Sequence, residues 1–169
     1  MEKRNKKAIT ILSCVIAATL AFIWIHSCMG QEESSEESGF FFEVLCPILE
    51  IVAGKGNVTE LFIRKLAHFT EFFGLGLELM LFMRLVLISS PKVIRFINAW
   101  ILGTLCALID ETIQILSGRG PMVQDVWLDS AGCLSGVLVM SLILAIIGMK
   151  TGKTDKANKA NKTKNGSAA

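Results

Sequence analysis

The chain has 169 residues, 52% of them hydrophobic, and its 17 basic and 15 acidic residues leave a formal net charge of +2. This length allows one domain, and the apolar fraction exceeds what a soluble core of that size needs, so the composition predicts membrane-spanning helices. The basic C-terminal tail has no aromatic residue to stack on bases, so nucleic acid is not an expected partner.

Five cysteines are present, without a Cys-x-x-Cys pair or any metal-ligand spacing. Three of them, Cys14, Cys106 and Cys133, lie within apolar runs, where Cys behaves as a small hydrophobic residue. The cysteines therefore predict neither a disulfide scaffold nor a zinc site.

Four apolar runs are each long enough to cross a bilayer as a helix, at about 1.5 Å per residue. They are residues 8–29, 66–89, 93–117 and 126–149. The basic flank of the first run also fits a signal peptide, but this run is longer than a usual signal core and lacks a small-x-small cleavage site, which favours an uncleaved span. Residues 40–52 are apolar but too short to span, and they predict an amphipathic segment in the first outer loop. The expected fold is an all-α bundle of four transmembrane helices.

Charge predicts how this bundle is oriented. Residues 1–7 form a basic N-terminus, residues 8–149 the membrane domain, and residues 150–169 a Lys/Asn-rich tail whose composition predicts disorder. The positive-inside rule puts both termini and the turn with Lys92 and Arg95 in the cytoplasm. The acidic first loop and residues 118–124 then lie outside, as in a multi-pass membrane protein.

Polar residues of the second, third and fourth spans all fall near the outer side in this topology. Arg64, His68 and Glu71 share one face of the second span, and Asp125 and Asp129 share one face of the fourth. Charged groups in such segments usually face a bundle interior or water. The full set is Arg64, Lys65, His68, Glu71, Asp110, Glu111, Gln114, Arg119, Asp125 and Asp129.

Several interpretations of this set are open. The polar groups can simply hold the helices together, or they can form a binding pocket, or they can form a catalytic site with His68 or Glu111 as general base. His-x-x-Glu at 68 and 71 is also typical of metal-binding helical bundles. Because this motif contains only one His and is not duplicated, no metal and no other cofactor is predicted.

The fourth span also carries Gly132-x-x-x-Gly136, a spacing that lets a second helix approach closely. Four helices make a thin bundle, so these two glycines suggest a homodimer interface.

The motifs together resemble the VanZ-like family of bacterial integral membrane proteins. The resemblance lies in residues 64–72, which read RKLAHFTEF, followed by Gly74. It continues in Asp110-Glu111-x-x-Gln114, in Gly118-Arg119 leading to Asp125-Val126, and in the Gly132 and Gly136 pair. The chain departs from the family pattern at Phe72, where Tyr is common, at Asp129, where Asn is common, and in residues 120–122, which replace a more polar turn.

The resemblance implies a bacterial cell-membrane protein of the envelope, in a family whose namesake is associated with teicoplanin-type glycopeptide resistance. The preferred hypothesis is a non-enzymatic protein whose outer-leaflet pocket binds a lipid-linked or glycopeptide-like ligand. In that pocket Arg64, Lys65 and Arg119 would hold anionic groups. One alternative is a membrane-embedded enzyme acting on an envelope lipid, in which Glu111→Gln would abolish catalysis. The other is a small proton-coupled transporter, in which Glu78→Gln would be the damaging change.

Overall fold

The computed structural model describes residues 2–28, 46–51, 54, 58–118 and 122–166. These residues form helices α1 (Glu2–Cys28), α2 (46–51), α3 (Glu60–Val86), α4 (Lys92–Leu116) and α5 (Val123–Gly166), and no strand occurs among them. The predicted all-α architecture is therefore confirmed.

Three helices are long and apolar enough to cross a membrane, judged by length and composition. Their candidate spans are Lys6–Cys28 in α1, Lys92–Leu116 in α4 and Val123–Met149 in α5. Helix α3 is as long as α1, with 27 residues, but it is not one of the three, and it carries charged residues within its apolar stretch. The structure thus supports three of the four predicted spans on this criterion.

Helix α3 lies at the centre of the bundle, because it contacts α1, α4 and α5 and packs most extensively against α5. Its side chains Phe72, Leu75 and Leu79 are almost completely buried, together with Ile23 of α1 and Val137 of α5. Replacing such side chains by smaller ones would leave cavities, which destabilise a fold. This apolar layer therefore determines how the four long helices pack together.

The N-terminus of α3 differs from the prediction, which starts the second span at residue 66. Thr59 caps the helix, because its Oγ1 accepts a hydrogen bond from the amide of Phe62 at 3.1 Å. Helix α3 therefore begins at Glu60, and Arg64 and Lys65 lie within its first two turns.

Glycines at the contact between α3 and α5 let the two backbones approach closely. A Cβ atom at Gly132 would overlap the carbonyl oxygen of Phe69, and one at Gly136 would overlap that of Phe73. The Gly-x-x-x-Gly face is thus already covered by α3 of the same chain. Both glycines are buried in this contact, and the homodimer through Gly132 and Gly136 stays a prediction.

Two further predictions concern the first outer loop and the C-terminal tail. Residues 40–45 and 52 lie outside the described residues, so only the short helix 46–51 of the predicted amphipathic segment can be located. Composition predicts disorder for residues 150–169, whereas α5 continues to Gly166. Lys and Ala are good helix formers, which accounts for the continuation of the helix beyond its apolar part.

Candidate functional site

Asp110 is the centre of the polar contacts between the helices. It is completely buried, and both of its carboxylate oxygens accept hydrogen bonds. Ser27 of α1 donates to Oδ1 at 2.5 Å, and Gln114, one turn further along α4, donates from Nε2 to Oδ2 at 2.7 Å. Both donors are neutral, so each carboxylate oxygen accepts one hydrogen bond while the charge is not compensated.

A second contact joins the same two helix ends. The hydroxyl of Ser117, which follows α4, donates to the backbone carbonyl of Ser27 at 3.0 Å. Ser27 therefore connects α1 to α4 through both its side chain and its backbone. Sequence reasoning did not select Ser27, although a serine at the end of an otherwise apolar span is the signal that could have found it.

His68 and Glu71 of α3 lie next to Asp110. The Nδ1 atom of His68 is 3.6 Å from Oε2 of Glu71 and 4.0 Å from Oδ2 of Asp110. On the other side of Glu71, Oε1 lies 3.2 Å from Nδ1 of His26 in α1. The two α3 residues are adjacent, as their i, i+3 spacing predicts, whereas sequence reasoning missed the contribution of His26.

Asp129 of α5 completes the group. Its side chain is 1% exposed, and its Oδ1 atom has no hydrogen-bond partner among the described residues. A carboxylate oxygen of Asp129, a ring nitrogen of His68 and a carboxylate oxygen of Asp110 lie within 4.8 Å of one another. We refer to His68, Glu71, Asp110, Gln114 and Asp129 as the buried polar cluster; its members come from three helices.

Two of the three basic residues that the prediction assigned to anionic groups, Arg64 and Lys65, lie within the described residues. Lys65 binds Asp125 through a contact of 2.7 Å between Nζ and Oδ1, at a partly exposed position near the start of α5. Arg64 is half-buried. Arg119 lies outside the described residues. Lys65 and Asp125 thus form an ion pair at the edge of the cluster. Among the described residues, no Lys or Arg forms an ion pair with a member of the cluster itself.

Glu111 lies on a different side of α4 from Asp110, as its sequence offset predicts. Its Oε1 atom accepts a hydrogen bond from the backbone amide of Met122 at 2.7 Å, just before α5 begins. Glu111 is 7% exposed and also lines a cleft of about 410 Å³. The contact with Met122 positions the start of α5 against the end of α4.

This cleft, which we call the lateral cleft, lies between α4 and α5. Its apolar lining includes Leu108 and Trp127, which are 48% and 71% exposed on the outside of the bundle. Its polar lining includes hydroxyls as well as Glu111. The cleft is lined by Thr104, Leu108, Glu111, Thr112, Ile115, Met122, Val123, Val126, Trp127 and Ser130.

One hydroxyl of the lateral cleft belongs to a small hydrogen-bonded group. Ser130 accepts a hydrogen bond from Nε1 of Trp100 at 3.1 Å, and its Oγ lies 2.8 Å from Oγ1 of Thr104. None of these three residues belongs to the predicted set, since single Ser, Thr and Trp residues are common in membrane helices and carry little signal.

Glu78 lies apart from the buried polar cluster, two turns further along α3, or about 10 Å from Glu71. Its Oε1 atom accepts a hydrogen bond from Thr19 of α1 at 2.9 Å. Its buried Oε2 atom has no partner in the described part of the chain. Glu78 therefore forms a separate polar contact between α1 and α3.

These features define a helical membrane-type protein with a buried polar cluster at one end and a cleft open on its side. A family model described as VanZ/LLP1 matches residues 11–144. The chain belongs to the VanZ/LLP1 family, which confirms the resemblance seen in its motifs. No curated protein and no solved structure matches the chain.

Proposed function

We propose that this protein binds a lipid-linked ligand of the bacterial cell envelope in the lateral cleft, on the outer side of the membrane. The observation that carries the proposal is the composition of the cleft. It is lined mainly by apolar side chains, some of them exposed on the outside of the bundle, and Glu111 and three hydroxyl side chains are spaced along it. An amphipathic ligand needs both surfaces.

The proposal treats α3 as a fourth span. Its 27 residues make a helix of about 40 Å, which exceeds the hydrocarbon thickness of about 30 Å. Its polar residues His68, Glu71 and Glu78 are turned towards α1 and α4, where they find polar partners. This arrangement lets a helix with several polar residues lie within a bilayer.

Charge supports an outer position for the cluster. Lys6 and Lys7 in the first turns of α1 and Lys92 and Arg95 in the first turn of α4 lie at the end of the bundle opposite to the buried polar cluster. Basic residues flanking membrane helices favour the cytoplasmic side. With these residues in the cytoplasm, the buried polar cluster and the part of the lateral cleft with Glu111 face outwards.

The chemistry of the cleft favours a head group with hydroxyl or amine donors. Glu111 offers carboxylate oxygens, and Thr112 donates its hydroxyl hydrogen to the carbonyl of Leu108, which leaves its oxygen lone pairs as acceptors. Lys65 is already paired with Asp125 and is not in the lining. We therefore expect a sugar-bearing lipid to bind better than an anionic phospholipid.

The test uses native mass spectrometry of the purified protein in detergent with three defined lipids. These are diglucosyl diacylglycerol, phosphatidylglycerol and diacylglycerol, which share their chains and differ in the head group. We expect the glycolipid to bind most tightly. Leu108→Trp, which fills the cleft, should weaken its binding by about tenfold, or about 1.4 kcal/mol. The matched control is Leu142→Trp, at an exposed α5 position outside the cleft lining, which should bind like the wild type.

Equal binding of all three lipids, or binding that Leu108→Trp leaves intact, would refute the proposal. Teicoplanin is the fourth probe, because the proposal extends to glycopeptides of this type. Binding of teicoplanin that Leu108→Trp removes supports this extension, and absence of binding refutes it. The enzyme with His68 and Glu111 in acid/base roles and the proton-coupled transporter stay predictions.

A further inference from the structure

We propose that His68, Asp110 and Asp129 together bind one divalent transition-metal ion. Each residue comes from a different helix, and one ligand atom of each lies within 4.8 Å of the other two. The inference goes beyond lipid binding and does not depend on it, because none of the three side chains lines the lateral cleft.

Burial of two neighbouring carboxylates is the first argument. Asp110 is 0% exposed and Asp129 is 1% exposed, and both lie inside the bundle. Asp110 is bound by the neutral side chains of Ser27 and Gln114, and no Lys or Arg among the described residues pairs with either aspartate. Charged groups buried without compensation are strongly unfavourable, whereas coordination of a cation makes their burial favourable.

The unpaired oxygen of Asp129 is the second and independent argument. Its Oδ1 atom is inaccessible to solvent and has no hydrogen-bond partner in the described part of the chain. A buried polar atom without a partner destabilises a fold by about 1–3 kcal/mol. The carboxylate of Asp129 lies close to His68 and Asp110, so a metal ion bound by the three residues would compensate this buried group.

The surroundings of the three residues fit the way proteins hold metal ligands. Ser27 and Gln114 fix the carboxylate of Asp110 through both oxygens, and Glu71 lies 3.6 Å from Nδ1 of His68. Hydrogen-bonding groups that orient the ligating side chains are a general feature of metal sites. In this cluster the orienting residues Ser27, Glu71 and Gln114 come from α1, α3 and α4.

The donor set indicates which cation fits. One imidazole nitrogen and two carboxylate oxygens suit Zn²⁺ or Mn²⁺, with bonds of about 2.0–2.2 Å. Ligands at such distances around one tetrahedral ion lie about 3.4 Å apart, so ligand atoms that start up to 4.8 Å apart need to close by up to about 1.4 Å. Three protein ligands leave at least one coordination position for a group from outside.

The test measures metal in the tag-free full-length protein, purified in detergent and stripped with a chelator. Zn²⁺ and Mn²⁺ are added in separate arms, free ion is removed, and the bound metal is determined by mass spectrometry together with the thermal unfolding temperature. In at least one arm we expect about one ion per chain and a rise in unfolding temperature, since an ion that binds only the folded state stabilises it.

Asp129→Asn and His68→Gln should lose both the ion and the thermal shift. Asp129→Asn removes a buried charge while keeping the shape of the side chain, so its folding in the absence of metal should not be impaired. The matched control is Asp125→Asn, a carboxylate of the same span that is paired with Lys65 and should retain the ion. The absence of bound metal in the wild type, or equal metal in Asp129→Asn and Asp125→Asn, would overturn the proposal. Leu108→Trp should bind metal normally, which separates this result from the lipid experiment.

Discussion

At the level of single residues, the contacts of Ser27 with Asp110 and Ser117 join two helices that are far apart in sequence. Ser27 is completely buried at the end of α1, next to His26. A hydroxyl in this position is stable because both its side chain and its backbone carbonyl have partners. We therefore expect Ser27 to contribute to stability although it is small.

The first prediction concerns Ser27→Ala. This change leaves Oδ1 of buried Asp110 without its serine donor, so the free energy of unfolding should fall by about 1–3 kcal/mol. Thermal unfolding of the purified protein in detergent measures the loss. Ser13→Ala, on the exposed side of α1, is the control and should unfold at the wild-type temperature. Equal unfolding temperatures for the two variants would show that the Ser27–Asp110 contact does not stabilise the bundle.

Residue spacing predicted part of the site. The i, i+3 pair His68 and Glu71 and the i, i+4 pair Asp110 and Gln114 are contacts within one helix, and sequence spacing determines such contacts. Contacts between helices, such as His26 with Glu71, depend on the rotation of each helix about its axis. That rotation is set by packing of the whole bundle, so periodicity alone could not show it.

At the level of helices, the pairing of α3 with α5 organises the structure. Gly132 and Gly136 bring the α5 backbone against Phe69 and Phe73, and Gly76 of α3 meets the α5 backbone in the same way. The Gly-x-x-x-Gly pattern predicted a close helix contact, but it does not specify the partner helix. The partner turned out to be α3 of the same chain.

The second prediction concerns Gly136→Ala. Its new Cβ would collide with the carbonyl oxygen of Phe73, a backbone atom that cannot move without shifting α3. We expect α3 and α5 to be pushed apart and the free energy of unfolding to fall by about 1–3 kcal/mol. Gly148→Ala is the control on the same helix, because no atom lies within 4 Å of its new Cβ. Thermal unfolding in detergent compares the two, and an unchanged Gly136→Ala protein would argue against this packing.

Helix α3 also has polar contacts that its composition does not predict. Its charged residues set it apart from the three helices that hydropathy identifies as candidate spans. In the folded bundle Glu71 contacts two histidines, and Glu78 accepts a hydrogen bond from Thr19. Hydropathy takes no account of such contacts.

At the level of the whole molecule, the charge distribution and the buried polar cluster mark opposite ends of the bundle. The four long helices were expected from the apolar run lengths, since a bilayer fixes the length a span requires, but α3 begins before the second run and α5 extends beyond the fourth. The lateral cleft did not follow, because it is lined by side chains of both α4 and α5 that no motif marks. The proposed ligand site therefore rests on the three-dimensional arrangement.

The measurement that tests the central claim most directly is cysteine accessibility in intact cells. Single cysteines are placed at Gly54, Ser90 and Gln124 in a variant without native cysteines, with Ala at buried Cys133, and are treated with a membrane-impermeant maleimide. Gly54 precedes α3, Ser90 lies between α3 and α4, and Gln124 lies at the exposed start of α5. If α3 crosses the membrane and the buried polar cluster faces outwards, Gly54→Cys and Gln124→Cys are labelled, and Ser90→Cys is labelled only after permeabilisation. Labelling of Gly54→Cys and Ser90→Cys from the same side would contradict a crossing α3. Labelling of Ser90→Cys alone would place the cluster and the lateral cleft in the cytoplasmic half.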